Sequence, residues 1–307
     1  MIFDCAIIGG GPAGLSAALV LGRARKSVIV CDDNRPRNAV TQKTSSFLTR
    51  DGIEPRELRR IAHEEISHYP SVTLKEAHVT SVERNGASLR LTVQGGETVE
   101  AKTVILATGL KETLPQIKNI HDFYGKSLSG CAWCDGWELR DKALVLITES
   151  EHILHMAKLV YNWSQDLLVC TNGRENLASM QKLELQRKGI TIIEQPITDL
   201  IGKDGQLEQI IFQDGTAARR EAGFVGPQWI QAAPFGAELG CTMNAMNAIA
   251  VDAFGRTSIQ GIYAAGDATF SMSLITSAAE GYRAGTGVYT DLIYADFERE
   301  QHLHPNE

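Results

Sequence analysis

Cys131 and Cys134 are separated by two residues and followed at once by an acid, Asp135. That spacing closes a small disulfide ring, and a carboxyl beside it can protonate a leaving thiolate. A four-ligand zinc site would need two further Cys or His at a matching spacing. The remaining cysteines, Cys5, Cys31, Cys170 and Cys241, stand singly, and no histidine pair has finger spacing. The pair therefore reads as redox chemistry. Two small residues buried in a turn is the plainer alternative, since free Cys packs like a small hydrophobe. Gly130 and Gly136 argue instead for an exposed, tightly folded loop. Trp133 and Trp137 flank the pair, placed to shield the disulfide or stack on a ring, with packing the plainer role for Trp137.

The elements that must position this stretch begin at the first residues. Residues 3–8 form a short apolar run, read as a buried strand, and Gly9-Gly10-Gly11-Pro12-Ala13-Gly14 follows before an apolar helix over 15–23. In this G-x-G-x-x-G turn, Gly9 permits the tight bend, Gly11 lets a pyrophosphate approach the backbone, and Gly14 lets helix pack on sheet. The helix start offers free N–H groups and partial positive charge to phosphate. A second strand over 27–31 ends at Asp32-Asp33, about 20 residues on, where an acid accepts ribose hydroxyls. One of the two acids is expected to be a solvated strand end.

Further along, residues 34–51 are irregular, and Leu58, Ile61, Ala62 and Ile66 give a helical stripe after Pro55. Residues 72–104 read as an antiparallel meander with a Gly95-Gly96 turn, running into Ala107-Thr108-Gly109. Past the cysteines, residues 143–147, 153–163 and 167–170 repeat a strand–helix–strand pattern. A helix over 176–188, a strand over 191–194 and a hairpin over 200–214 with Asp204-Gly205 at its tip come next. The chain returns to a strand over 262–265, Gly266-Asp267, a helix over 274–291 and a loose tail over 302–307. The two cores look like distant copies of one unit.

The chain has 307 residues, 43% hydrophobic and 22% charged, with net charge −7. It can bury a core, and its charge disfavours nucleic acid or an anionic membrane as main partner. No apolar run reaches membrane-spanning length, and no basic leader precedes the first strand, so a cytoplasmic protein is expected. Structural disulfides are rare in that compartment, which again favours a working pair.

Over nearly its whole length the chain resembles the low-molecular-weight thioredoxin reductases. The motifs are Gly9-x-Gly11-x-x-Gly14, Ala107-Thr108-Gly109, Cys131-x-x-Cys134-Asp135-Gly136 and Ala264-Ala265-Gly266-Asp267. The resemblance implies an α/β fold of two Rossmann-like nucleotide-binding domains of the three-layer ββα type, the second inserted in the first. Residues 1–114 and 242–307 would bind FAD, and 115–241 would carry the Cys pair. By resemblance, Gly266 and Asp267 meet the ribityl and pyrophosphate part of FAD, and His78 and Val79 lie beside adenine. The helix start at Ile275 and Thr276 faces the flavin pyrimidine edge, where its dipole would stabilise reduced, anionic flavin. Pro12, Ala13, Arg37 and Asn38 join the expected cofactor contacts. Cys134 is then the flavin-proximal thiol, Cys131 the exchange thiol and Asp135 the acid/base. One FAD per chain and a homodimer are implied, with a second flavin left open.

The middle domain departs from that family. Its phosphate loop should be glycine-rich, yet the chain reads Ile147-Thr148-Glu149-Ser150-Glu151-His152. At the next strand end Cys170-Thr171-Asn172-Gly173, with only Arg174 beyond, replaces a basic 2′-phosphate cluster. NADPH is therefore not expected. In this the chain resembles ferredoxin-dependent, diflavin-linked and deep-branching cyanobacterial relatives. Residues 36–39 and 47–52 also look like dithiol oxidases of the gliotoxin type, although Ser129-Gly130 stands where the fungal enzymes often have a His before the first cysteine. Thioredoxin or another disulfide is the expected substrate and ferredoxin or another flavin a candidate donor, with Arg50, Arg56, Arg59 and Arg60 as a docking face or a solvated helix face. The alternatives are an oxygen-using dithiol oxidase and a non-catalytic, flavin-binding redox sensor.

Overall fold

The computed structural model describes residues 1–303 and the side chains of residues 1–298. The chain divides into two compact units. The first holds Met1–Ala39, Phe47–Lys111 and the chain from Ile230 onward, and the second holds Val40–Ser46 and Glu112–Trp229.

The first unit opens with β1 (Ile2–Ile8), α1 (Pro12–Arg23), β2 (Val28–Asp32), α2 (Pro55–Ser67) and β3 (Val72–Glu76). Then come β4 (Val79–Asn85), β5 (Ser88–Val93) and β6 (Thr98–Leu106), after which β7 (Leu110–Thr113) leads out of the unit. These strands line up as β3-β2-β1-β6-β5-β4 in one sheet. Alternation along β1 and β2 explains why the sheet is covered on both faces. Cys5, Ile7, Val28 and Val30 join one core with α1, while Ala6, Ile8, Ile29 and Cys31 join another with Leu89, Leu91 and Val93. The meander expectation needs correction: β3 pairs parallel to β2, and only β4, β5 and the first half of β6 are antiparallel. The same alternating pattern suits either edge, so the residues alone do not distinguish them.

The second unit contains α3 (Ile120–Phe123), β8 (Leu128–Ser129), α4 (Ala132–Leu139), β9 (Leu144–Thr148), α5 (Ile153–Tyr161), β10 (Leu167–Cys170), α6 (Ser179–Gln186) and β11 (Thr191–Ile193). After them come β12 (Ile197–Lys203), β13 (Gln206–Phe212), β14 (Ala217–Arg219) and β15 (Ala222–Gly226). β11-β10-β9-β15-β8 form an all-parallel sheet, and β12-β13-β14 a small antiparallel one. The expected hairpin is present, with Asp204 and Gly205 at φ 54° and 83°. The central strands are fully buried on both faces, as parallel strands require.

The chain returns through β16 (Gln228–Gln231), which pairs with β7, then α7 (Phe235–Glu238), β17 (Ile262–Ala264) and α8 (Leu274–Leu303). β17 adds parallel to the second half of β6. α8 runs past the expected end at Asp291 to Leu303, so the tail expected over 302–307 is helical at its start. Its remainder, 304–307, lies outside the described residues. The two units together give a mixed α/β fold with two Rossmann-type domains. Among the described residues, no helix is long and apolar enough to cross a membrane.

Candidate active site

The Cys131–Cys134 pair is a disulfide with Cα atoms 5.3 Å apart. It does not sit in a loop, as the flanking glycines suggested. Cys131 caps α4, and Cys134 and Asp135 lie in the helix's first turn. Cys131 Sγ accepts the Cys134 N–H at 3.1 Å, so a Cys131 thiolate would gain both a donor and the positive end of the helix. Gly136 is there to make room: a Cβ at this position would lie 2.5 Å from the Trp163 ring. Trp163 in turn meets Trp133 edge-to-face at 5.8 Å. Trp133 and Trp137 are 71% and 67% exposed, so the packing role expected of Trp137 is not observed. Instead the Arg140 guanidinium lies 3.9 Å from the Trp137 ring centre.

Asp135 is partly withdrawn from solvent. Burial pushes its carboxyl up, a hydrogen bond from Ser129 pulls it partly back, and Glu138 pushes it up again. A carboxyl held above its usual range is a better proton donor near neutrality. Ser129 is the residue that the spacing did not single out, because a contact across six positions at a strand end has no periodic signature. The four other cysteines are buried, with burial raising Cys5 and Cys170 to about 12 and Cys31 to about 11. Buried thiols so raised are poor nucleophiles.

In the first unit the expected turn is open. Gly9 adopts φ +110°, and a Cβ there would lie 2.2 Å from Ala107 O. A Cβ on Gly14 would lie 1.9 Å from Gly9 O, whereas one on Gly11 would meet nothing within 4 Å. Gly11 caps α1 without a side-chain hydrogen bond, so the helix start is presented bare behind that open space. This cradle fits the pyrophosphate of a dinucleotide such as FAD.

Of the two acids, Asp32 stands behind the turn, accepting from Gly10 N at 2.9 Å and pairing with Arg59. Asp33 faces Arg35 and His78, at 2.7 and 3.0 Å. Burial opposes its ionisation, but these two partners hold it below the usual carboxylate range. Val79 is buried at the start of β4. Asp267 pairs with Arg37 at 2.8 Å and accepts from Met272 N and Ser277 Oγ at 3.0 and 3.3 Å. The motif residues Gly9–Gly14, Ala107 and Gly266–Asp267 are thus brought to the same strand ends. Asn38 follows Arg37 in a short 3₁₀ turn, and Thr108-Gly109 leaves β6, with Gly109 at φ 72°. Ile275 is exposed, and the Thr276 hydroxyl bonds locally to Ser271 and Ser273. Glu280 was not read from the residues: it accepts from Gly266 N at 2.9 Å and Thr269 Oγ1 at 2.7 Å. Three members of the arginine face are engaged locally, Arg50 by Thr49 O, Arg59 by Asp32 and Asn34, and Arg60 by Glu57 and Glu64.

The corresponding turn of the second unit, between β9 and α5, is filled. Ser150 N donates to Thr148 Oγ1 and His152 N to Ser150 Oγ, both at 3.1 Å. Glu149 accepts from Asn172 Nδ2 at 2.7 Å and from Arg174 at 3.2 Å. Asn176 Nδ2 donates to Ser150 O at 2.9 Å.

With this geometry in place, the chain matches the profile of the pyridine nucleotide-disulphide oxidoreductase family over residues 3–284. It belongs to that family. A proposed thioredoxin reductase, TrxB, from Bacillus anthracis superposes with TM-score 0.92 at 42% identity, covering 96% of this chain and 99% of that one. The structure of HlmI gives TM-score 0.95 at 30% identity, covering 99% and 96%. Thioredoxin reductase aclD from Aspergillus oryzae is 28% identical over 95% of this chain and 97% of its own length. Within the family the chain is a thioredoxin reductase-like flavoprotein, an FAD-dependent disulfide oxidoreductase.

Proposed function

We propose that the enzyme passes electrons between bound FAD and the Cys131–Cys134 disulfide, that its substrate is a thioredoxin-type disulfide, and that its electron donor is not NADPH. The observation that carries the reading is the disulfide at the start of α4 with Asp135 in the same turn. Residues 1–114 and 242–307 would form the FAD domain. There the Gly9–Gly14 turn would hold the pyrophosphate, Asp32 the ribose and Gly266–Asp267 the ribityl part. Asp32 keeps acceptor capacity for a hydroxyl after bonding Gly10 N and Arg59, since a carboxylate has about four lone-pair sites. Bound FAD would supply two-electron transfer between an outside donor and the disulfide.

The chain's own residues do the rest. Cys131, stabilised as thiolate by the Cys134 N–H and the start of α4, attacks a substrate disulfide. Asp135 protonates the departing sulfur. Residues 115–241 would carry this pair on a Rossmann-like scaffold without a working nucleotide site. The filled turn at 148–153 supports that, because its N–H groups at Ser150 and His152 already have acceptors and Glu149 holds Arg174. A further carboxylate, Glu151, would repel an anionic ligand. A ferredoxin at about −400 mV lies some 130 mV below thioredoxin at about −270 mV, about 6 kcal/mol downhill for two electrons, so such a donor suffices energetically.

Anaerobic stopped-flow tests the reading, with NADPH, NADH and reduced ferredoxin mixed separately with purified protein while flavin absorbance is followed. Bleaching by ferredoxin and none by NADPH at micromolar concentration is expected. Rapid, saturable bleaching by NADPH would overturn the donor assignment.

A further inference from the structure

The dithiol form of the pair reduces a substrate disulfide in two displacements. Cys131 thiolate forms a new S–S bond with one substrate sulfur as the substrate S–S bond breaks, and the other sulfur leaves and takes a proton. Cys134 then displaces the mixed disulfide, releasing the second thiol. The dithiol is oxidised, the substrate is reduced, and its two protons end on the two substrate sulfurs. An alkyl thiolate leaves slowly unless it is protonated, whereas an aryl thiolate of low pKa leaves unaided.

Ser129 ends β8, 7% exposed and two residues before Cys131. Its hydroxyl donates to Asp135 Oδ2, in a short contact, and accepts the Cys131 N–H at 3.1 Å. The other acceptor within reach, Cys131 O at 3.4 Å, is longer and uncharged, so the carboxylate takes the single hydroxyl hydrogen. One oxygen thus joins the acid to the backbone of the exchanging cysteine. The charged neighbour on the same helix is Glu138. Just after α3, Tyr124, bonded to Glu112 of β7 at 2.8 Å, packs against Gly130, and the thiols of Cys131 and Cys134 join the set on reduction.

We propose that Ser129 is the positioning residue for Asp135, fixing the carboxyl relative to Cys131 so that it protonates the departing sulfur. This rests on the disulfide oxidoreductase reading with Asp135 as the acid. Because the hydroxyl also draws Asp135 down against burial, its loss moves the carboxyl further up.

The test uses the full-length, FAD-loaded protein, reduced with dithiothreitol and freed of it. It is mixed anaerobically with an alkyl probe, 2-hydroxyethyl disulfide, or an aryl probe, 5,5′-dithiobis(2-nitrobenzoate), between about pH 5 and pH 9. Ser129→Ala is expected to slow the alkyl probe about tenfold and the aryl probe less than about twofold. The midpoint of protonation-dependent exchange should also move to higher pH, and Ser129→Thr, which keeps the hydroxyl, should restore the alkyl rate. Equal slowing of both probes would mean a merely structural role, and no slowing of either would mean no role; each overturns the proposal. Asp135→Asn separates the layers. If it slows the alkyl probe about 100-fold while Ser129→Ala does not, only the Ser129 assignment falls. If it slows neither probe, the acid role beneath the assignment falls.

Discussion

Two strand-to-helix turns occupy equivalent places in the two sheets, and they have opposite characters. After β1, the turn at 9–14 is built so that no side chain intrudes: a Cβ on Gly11 would meet empty space, and α1 begins without a side-chain cap. After β9, the turn at 148–153 satisfies its own N–H groups with Thr148 and Ser150 and ties Glu149 to Asn172 and Arg174. The helix start that offers chemistry in the second unit is instead α4, capped by Cys131. On the function proposed above, a Rossmann-type backbone does not make a nucleotide site by itself. α5, like α1, begins without a side-chain cap, so the two turns differ in the residues they carry, Glu149, Ser150 and Glu151 against Gly10 and Gly11, rather than in the helix starts themselves.

The largest effect should separate the two regions outright. Cys134→Ser is expected to abolish disulfide turnover, by more than about 1,000-fold, while the protein stays yellow. Full activity on a thioredoxin-like protein would break the assignment of chemistry to α4. Gly14→Val should do the reverse. The new side chain would begin 1.9 Å from Gly9 O, so flavin content should collapse and stability fall by about 3 kcal/mol. A variant that purified yellow, by absorbance per chain, would show that the turn at 9–14 is not the cofactor cradle.

A subtler effect concerns the filled turn. Glu149→Ala should cost about 1 kcal/mol in urea unfolding, mostly through Asn172, because Arg174 is exposed and its ion pair is screened. It should not create NADPH binding, since Ser150 N and His152 N keep their acceptors. Micromolar affinity gained by that single change, measured calorimetrically, would mean that one carboxylate alone closes the site. The smallest effect concerns Asp135. Its raised carboxyl means that the native state holds the proton more tightly than the unfolded chain. Ionisation therefore costs stability as pH rises through the window from the usual carboxylate value up to the raised one. Asp135→Asn should accordingly show a slightly higher Tm than the parent above that window and no difference below it. A difference that grew as pH fell would reverse the sign and refute the burial of this acid.

The parts legible in the residues were those whose signals are local. Gly9–Gly14 between an apolar strand and an apolar helix, Asp32 at the next strand end, and Cys131-x-x-Cys134 all lie within short windows. The stretch expected as a loop around the cysteines is a helix: Gly136 makes room for Trp163, and a glycine kept for room looks the same as one kept for a turn. β15 was not foreseen; its five residues include two glycines and sit between β9 and β8 only through tertiary pairing. The roles of Ser129, Arg59 and Glu280 were missed for a common reason. Each residue acts on a partner brought near by the turn or packing between elements, and no spacing in the chain announces it.

The way the chain visits its units also sets an order of assembly. Unit two is almost wholly one continuous stretch, Glu112–Trp229, whereas unit one needs β17 and α8 from beyond Ile230. Until those emerge from the ribosome, β6 lacks its β17 neighbour and α1 lacks the helix whose Gly281 nests against Ala13 O. At about 5–20 residues per second, the intervening stretch takes on the order of ten seconds to synthesise. During that interval the nascent first half carries an apolar helix face and an unpaired strand end that a chaperone would have to shelter, while the redox half has all its strands to hand. Flavin capture then belongs to the last act of synthesis, and a nascent chain stalled once residue 229 has cleared the ribosomal exit tunnel should resist protease in its second half and be cut readily in its first.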